Sequence, residues 1–75
     1  MIFTTQVLDA MHELDEAQRQ VCAHSFAELA GYLNAQSRGD MMMLTQALKN
    51  LVSEGEIKSL GGPDYSRNLF MRLES

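Results

Sequence analysis

The chain has little cysteine, no tryptophan and few cations, and each shortage excludes a class of protein. Its single cysteine, Cys22, excludes an intramolecular disulfide and fits a reducing cytoplasm. Without tryptophan, and with six methionines, we expect a core of leucine, methionine and alanine. No apolar run approaches the length of a membrane span, and residues 1–11 show no signal peptide. The sequence therefore predicts a single cytoplasmic domain that spans residues 1–75.

The charge distribution is uneven. Six basic residues stand against ten acidic ones, which gives a formal charge of −4. Because DNA binding draws much of its affinity from cations that neutralise phosphates, an acidic chain is a poor default for that role. The excess of acid lies in residues 1–36, however, and residues 37–75 are balanced. A DNA-binding surface in the second half remains compatible with the composition.

A first helix is predicted from about Thr5 to Arg19, with Thr4 or Thr5 as its N-cap. Its buried face is marked by apolar residues three and four positions apart: Val7, Leu8, Met11 and Leu14. The polar residues of this helix are expected to face solvent: Asp9, Glu13, Asp15, Glu16 and Arg19.

The second helix has a clear start. Ser25 and Glu28 have the spacing of a capping box, in which each residue satisfies a backbone donor of the first turn. Its buried stripe is predicted to be Phe26, Leu29, Ala30 and Leu33, and it should end near Asn34. The preceding segment, residues 21–24, is mostly apolar and could add a short strand to a later hairpin.

A third helix is predicted from Met41 to Glu54, with Asp40 as its N-cap and Gly55 as the glycine that ends it. Its buried residues should be Leu44, Ala47, Leu48, Leu51 and Val52. Alternating apolar residues then predict strands at residues 57–60 and 69–73, joined by a Gly- and Pro-containing loop at 61–66. The predicted class is α+β, mainly α: three helices followed by a two-stranded β-hairpin.

Three passages in this order resemble the winged helix-turn-helix superfamily: Ser25–Ala30, Leu44–Leu51 and Glu54–Ile57. The resemblance covers nearly the whole chain. It implies a small DNA-binding transcriptional regulator of bacterial or phage type, with the third helix in the major groove and the hairpin, or wing, on the backbone. Because one module with so few cations would bind weakly alone, we expect a second copy, as a homodimer, or a larger partner to assist binding. The residues that the resemblance places against duplex DNA are Arg38, Thr45, Gln46, Lys49, Asn50, Lys58 and Arg67.

The alternative is a winged-helix module that binds a protein and not DNA. Met41, Met42 and Met43 occupy the start of the third helix, where DNA readers usually place polar side chains. One of the three should point into the core, while exposed methionines form adaptable protein-binding surfaces. Docking would then use these methionines or the acidic first helix.

No constellation for catalysis or metal binding stands out. His12, Cys22 and His24 are the candidate ligands, but structural zinc takes four ligands in paired clusters, and their spacing does not fit. Cys22 is interpreted as a small buried hydrophobic residue. Gly61–Asp64 lacks the lysine and helix of a phosphate loop, and Tyr65 is expected to cover the hairpin. The sequence therefore predicts no enzymatic activity, cofactor, metal or small-molecule substrate.

Overall fold

Three helices and a three-stranded antiparallel sheet form the fold in the computed structural model, which describes residues 3–73. The elements in chain order are α1 (Thr4–Gln18), β1 (His24–Ser25), α2 (Phe26–Tyr32), α3 (Arg38–Ser53), β2 (Ile57–Leu60) and β3 (Leu69–Arg72), with a 3₁₀ turn at Tyr65–Arg67. The prediction of a small, mainly helical α+β domain is confirmed. Among the described residues, no helix combines the length and apolarity that crossing a membrane requires.

The sheet has one more strand than the predicted hairpin. β3 lies in the middle and pairs with both β1 and β2. In the register, Leu69 lies opposite Leu60 of β2, and Phe70 lies opposite His24 of β1. The short strand considered for residues 21–24 is therefore present, but it lies at His24–Ser25. Through this pairing the sheet joins the region between α1 and α2 to the end of the chain.

The core lies between the helices and the inner face of the sheet. Its buried side chains include Val7, Met11, Phe26, Leu29, Ala30, Leu44, Ala47, Leu48, Leu51, Ile57 and Phe70. Most predicted core positions are thus confirmed, and Leu8, Leu14, Leu33 and Val52 pack against the core while staying partly exposed. Burial of this apolar surface is the main force that holds such a small domain together.

The two ends of α3 differ in how well local sequence predicted them. Gly55 has a φ of 78°, and the N–H of Glu56 donates to the carbonyl of Leu51 at 3.0 Å, as in a Schellman C-cap. The prediction for this end is confirmed. The predicted N-cap is wrong, because α3 begins earlier, at Arg38. The hydroxyl of Ser37 accepts from the N–H of Asp40 at 3.0 Å, so Ser37 is the cap.

Other boundaries also shift. α1 begins at Thr4, so both threonines lie inside the helix and Phe3 is the N-cap residue. The N–H of Phe3 donates to the Gln6 side-chain oxygen at 2.9 Å. Ser25 caps α2 as predicted, with its hydroxyl accepting from the N–H of Glu28 at 3.0 Å. The largest departure is Asp15, which was predicted to face solvent and is only 2% exposed.

Candidate functional site

One stripe of side chains runs along α3. Arg38, Met42, Thr45 and Lys49 follow one another at intervals of four, three and four residues, which places them on one side of the helix. All four line a surface depression of about 430 Å³, together with Phe26, Met41, Gln46 and Ser66. Four of the seven predicted DNA-contacting residues therefore lie around the same depression: Arg38, Thr45, Gln46 and Lys49.

The polar side chains of α3 already form some bonds within the helix. Thr45 Oγ1 donates to the carbonyl of Met41 at 2.9 Å. The hydroxyl proton is therefore bound within the helix, and the oxygen can still accept a hydrogen bond from a ligand. Gln46 Nε2 donates to Asn50 Oδ1 at 3.0 Å. Asn50 lines a second depression, beside Phe3 and Met43, rather than the one between Arg38 and Lys49. The Gln46–Asn50 pair therefore bridges the two depressions.

The loop before β3 lies beside the stripe. Lys49 Nζ is 5.7 Å from the centroid of the Tyr65 ring, a distance at which a cation is attracted to an aromatic face. Tyr65 in turn packs on Phe70, with ring centroids 5.5 Å apart. Tyr65 therefore covers the hairpin, as predicted, and orients the lysine above it.

The remaining predicted cations lie outside the depression. Arg67 is 86% exposed, and its Nε lies 3.6 Å from Oδ2 of Asp64. Hydrogen bonds from Ser66 hold the pKa of Asp64 below its ordinary value, so this partner is charged at neutral pH. Lys58 is exposed on β2, opposite Met71. Arg67 adjoins the depression through Ser66, whereas Lys58 and Asn50 do not line it.

The three methionines have different environments. Met41 packs against the core, Met43 is half-buried, and Met42 is 67% exposed within the stripe. The prediction that at least one methionine points inward is confirmed. Met42 is the residue that gives the depression an exposed apolar element.

A separate, buried polar cluster lies where α1, β1, α2 and β3 meet. Asp15 is at its centre: its Oδ1 is 2.6 Å from His24 Nε2, and its Oδ2 is 2.6 Å from Arg72 Nε. Burial favours a higher pKa for Asp15, but hydrogen bonds from Arg72, His24 and Cys22 outweigh it, so the pKa lies below its ordinary value. The buried carboxylate is therefore charged.

His24 contacts a carboxylate through each ring nitrogen. Nε2 faces Asp15, and Nδ1 lies 3.1 Å from Glu28 Oε2. Each ring nitrogen is therefore within hydrogen-bonding distance of a carboxylate oxygen. The Glu28 carboxylate thus contacts His24, while the Glu28 N–H donates to the Ser25 hydroxyl that caps α2.

Cys22 is half-buried beside this pair, which corrects its interpretation as a buried hydrophobic residue. Its N–H donates to Asp15 Oδ1 at 3.2 Å, and its Sγ lies 3.5 Å from the same oxygen. Desolvation, the hydrogen bond to Asp15 and the negative charges of Asp15 and Glu28 raise the pKa of the Cys22 thiol. The ligand atoms of Asp15, Cys22 and His24 all lie within 4.8 Å of one another, so these three residues could hold a metal ion.

The sequence held two signals for this cluster. Asp15 continues the four-residue spacing of Val7 and Met11 and therefore lies on the buried face of α1. His24 and Glu28 are also four residues apart. His12, the third candidate ligand, is exposed and contacts Glu16 at 3.0 Å; it lines a surface depression beside Asp15 and Arg72 but is not among the three clustered ligands. Burial of a carboxylate was not predicted because its cationic partners are distant in sequence.

No protein family model, curated protein or solved structure matches this chain. Its function therefore has to be argued from the geometry of the molecule.

Proposed function

We propose that this protein is a small winged helix-turn-helix regulator that binds duplex DNA, with α3 in the major groove and the β2–β3 hairpin against the backbone. The order of helices and strands, and the hairpin that follows α3 directly, support this proposal. The position of β1 as a third strand beside β3 is compatible with it.

The observation that carries the proposal is the stripe on α3. Arg38 and Lys49 stand at its two ends, eleven residues or about 16 Å apart along the helix axis. The major groove is about 12 Å wide, so long basic side chains at this separation can reach phosphates on both sides of it. Between Met41 and Ser53 the chain has no acidic residue that would repel the DNA.

The side chains between the two cations suit base edges. Gln46 keeps a carbonyl oxygen and one amide hydrogen free of its bond to Asn50, and adenine presents a donor and an acceptor in the major groove. Thr45 offers an acceptor and a methyl group. Met42 offers an apolar surface of the kind that packs against the methyl group of thymine.

Affinity should be modest and strongly dependent on salt. Arg72 is held by Asp15, and Arg67 is shared with Asp64, so few cations remain for phosphates. The exposed acids of α1, Asp9, Glu13 and Glu16, add negative charge outside the stripe. A second copy of the chain would double the number of phosphate contacts, and we propose that the protein binds as a homodimer.

The experiment is a titration of fluorescent genomic duplexes followed by anisotropy at several salt concentrations. Lys49→Ala and Arg38→Ala should each weaken binding and lower the slope of log K against log salt by about one. Arg19→Asn is the matched control. It removes one positive charge at the end of α1, and asparagine tolerates the left-handed backbone found there, with φ 58°. No binding by the wild type at low salt, or equal losses in all three variants, would contradict the proposal.

A second candidate is a module that docks on another protein, and the exposure of Met42 favours it. The depression beside Met42 also includes Phe26 and Met41, and such mixed apolar surfaces bind partner helices. Met42→Glu would then abolish binding of the partner, while Lys49→Ala would have little effect. Under the DNA proposal both substitutions weaken DNA binding, because Met42→Glu places an anion within the stripe, so the response to Lys49→Ala distinguishes the two candidates.

A further inference from the structure

We propose that Asp15, Cys22 and His24 bind a zinc ion, which clips the end of α1 to β1. These residues supply a carboxylate, a thiol and an imidazole, which are the three side-chain types that bind zinc. The proposal is independent of DNA binding, because none of the three lines the depression on α3.

The distances between the donor atoms fit a tetrahedral ion. Zinc holds sulfur at about 2.3 Å and nitrogen or oxygen at about 2.0–2.2 Å, so neighbouring donors lie roughly 3.3–3.6 Å apart. Cys22 Sγ is 3.7 Å from His24 Nε2 and 3.5 Å from Asp15 Oδ1. The nitrogen and oxygen are 2.6 Å apart, and they would separate by roughly 0.7 Å to admit the ion.

The surroundings of His24 favour the same assignment. A histidine that binds a metal through one nitrogen almost always donates its other N–H to a carboxylate, a carbonyl or water. Here Glu28 Oε2 lies 3.1 Å from Nδ1, which directs Nε2 towards Asp15 and Cys22. Arg72 is bound to the other oxygen of Asp15, so Oδ1, which also accepts from the Cys22 N–H, is the oxygen that would bind the ion.

The ion would replace hydrogen atoms of the cluster. At 2.6 Å, His24 Nε2 and Asp15 Oδ1 lie within hydrogen-bonding distance, and zinc would take the place of this bond. The thiol proton of Cys22 would leave as well. A bound metal deprotonates a coordinating thiol outright.

With three protein ligands, the fourth position of a tetrahedral zinc goes to a solvent molecule. Cys22 is half-buried, so the cluster reaches the surface on its side. The ion would close the segment between Asp15 and Cys22 into a loop. Because the metal binds the folded chain, we expect it to stabilise the domain.

Cobalt(II) is the first probe, since tetrahedral cobalt with a thiolate ligand is coloured. The full chain is stripped with EDTA, kept reduced, and titrated with CoCl₂ and then ZnCl₂. We expect one equivalent of cobalt to produce d–d and thiolate charge-transfer absorption that zinc abolishes. ZnCl₂ should also raise the Tm of the wild type, and EDTA should reverse the rise.

Variants locate the site. Cys22→Ser should lose the charge-transfer band and the zinc-dependent rise in Tm, and His24→Gln should lose both signals. Glu28→Gln should lower the affinity about 10- to 100-fold, as the loss of a carboxylate behind a histidine ligand does elsewhere. His12→Gln removes the other imidazole of the chain and should bind as the wild type does. If His24→Gln does not fold, Cys22→Ser tests the proposal alone, because serine preserves the side-chain shape.

Three results would overturn the assignment. The first is no absorption and no change in Tm with excess metal, which would leave only the hydrogen bond between His24 and Asp15. The second is an unchanged response in Cys22→Ser. The third is loss of the response in His12→Gln but not in Cys22→Ser, which would move binding to the surface of α1.

Discussion

Arg72 Nε lies 2.6 Å from Asp15 Oδ2, and this bond joins the last strand to the first helix across 57 positions of sequence. His24 Nε2 lies 2.6 Å from the other oxygen of the same carboxylate. One buried anion thus connects α1, β1 and β3. A buried ion pair stabilises little relative to an apolar pair of the same shape, but removing one partner leaves the other charge uncompensated.

Asp15→Asn is therefore expected to lower the free energy of unfolding by about 3–5 kcal/mol. Asparagine keeps the shape of the side chain but leaves the charge of Arg72 without an anion and removes the carboxylate that faces His24. Urea denaturation in the presence of EDTA measures the change without a contribution from metal. Glu16→Gln is the control, because this carboxylate is exposed and, among the charged groups of residues 3–73, forms an ion pair with His12 alone, so its substitution should be nearly neutral. Equal midpoints for the two variants would contradict the role given to Asp15.

Leu48→Ala is expected to lower the free energy of unfolding by about 2–5 kcal/mol, because it removes three carbons from a side chain that is 0% exposed. Met42→Ala, on the exposed side of the same helix, should change it by less than about 0.5 kcal/mol. Thermal or urea unfolding of the two variants gives the comparison. A neutral Leu48→Ala would mean that α3 packs through a different face.

The features predicted from sequence depend on residues close together in the chain. The apolar spacing of Leu44, Leu48 and Leu51 defines the buried face of α3, and Gly55 ends that helix through bonds within a single turn. The hydroxyl of Ser25 likewise reaches a backbone group only three residues away. Such features can be predicted without knowledge of the tertiary structure, because the interacting residues lie within a few positions of one another in the sequence.

The errors have two physical causes. The charge of Asp15 predicts exposure to solvent, although its position continues the apolar face of α1. Its burial is stabilised by hydrogen bonds to His24 and Arg72, which lie 9 and 57 residues away in the sequence. The predicted start of α3 at Met41 is late because Asp40 is itself a suitable N-cap residue. Ser37 and Asp40 nevertheless have the spacing of a helix start, and a glycine in the first turn of a helix is tolerated.

On the surface of α3, the contacts made by the loop before β3 could not be predicted from sequence. The resemblance puts Thr45, Gln46 and Lys49 on one face of the third helix, but Arg38 joins that face only because α3 begins three residues before the predicted start at Met41. The sequence did not predict that Tyr65 would lie beneath Lys49 or that Arg67 would lie beside Asp64, since those contacts depend on how the loop before β3 folds back.

Tyr32 is expected to ionise at a higher pH than an ordinary tyrosine. Its hydroxyl donates to Glu13 Oε2, which joins α2 to α1, and this bond, followed by desolvation and the charge of Glu13, raises the pKa of Tyr32. The folded chain then keeps a proton that the unfolded chain releases near pH 10, so stability falls as the pH rises above that value.

Absorbance of the phenolate between pH 8 and 11 measures this pKa. The Tyr65→Phe background isolates Tyr32, because the chain has two tyrosines. Adding Glu13→Gln should move the midpoint back towards the ordinary value, since both the acceptor charge and the repulsion between two anions are lost. An unchanged midpoint would show that Tyr32 and Glu13 do not interact in solution.

Gly61→Ala is expected to destabilise the hairpin by about 1–3 kcal/mol, whereas Gly62→Ala should be nearly neutral. Gly61 has a φ of 140°, a backbone angle that residues with a side chain rarely adopt. A Cβ added there would lie 2.7 Å from Cγ of Asn68. Asn68 is buried and donates to the Ser59 hydroxyl at 2.8 Å and to the Gly62 carbonyl at 2.7 Å, so it cannot move without breaking the bonds that close the loop. At Gly62 an added Cβ meets nothing within 4 Å.

Urea denaturation ranks the Gly61→Ala and Gly62→Ala variants, and amide exchange of β2 and β3 should accelerate in Gly61→Ala alone. Similar losses in both variants would mean that loop entropy, and not the contact with Asn68, sets the cost.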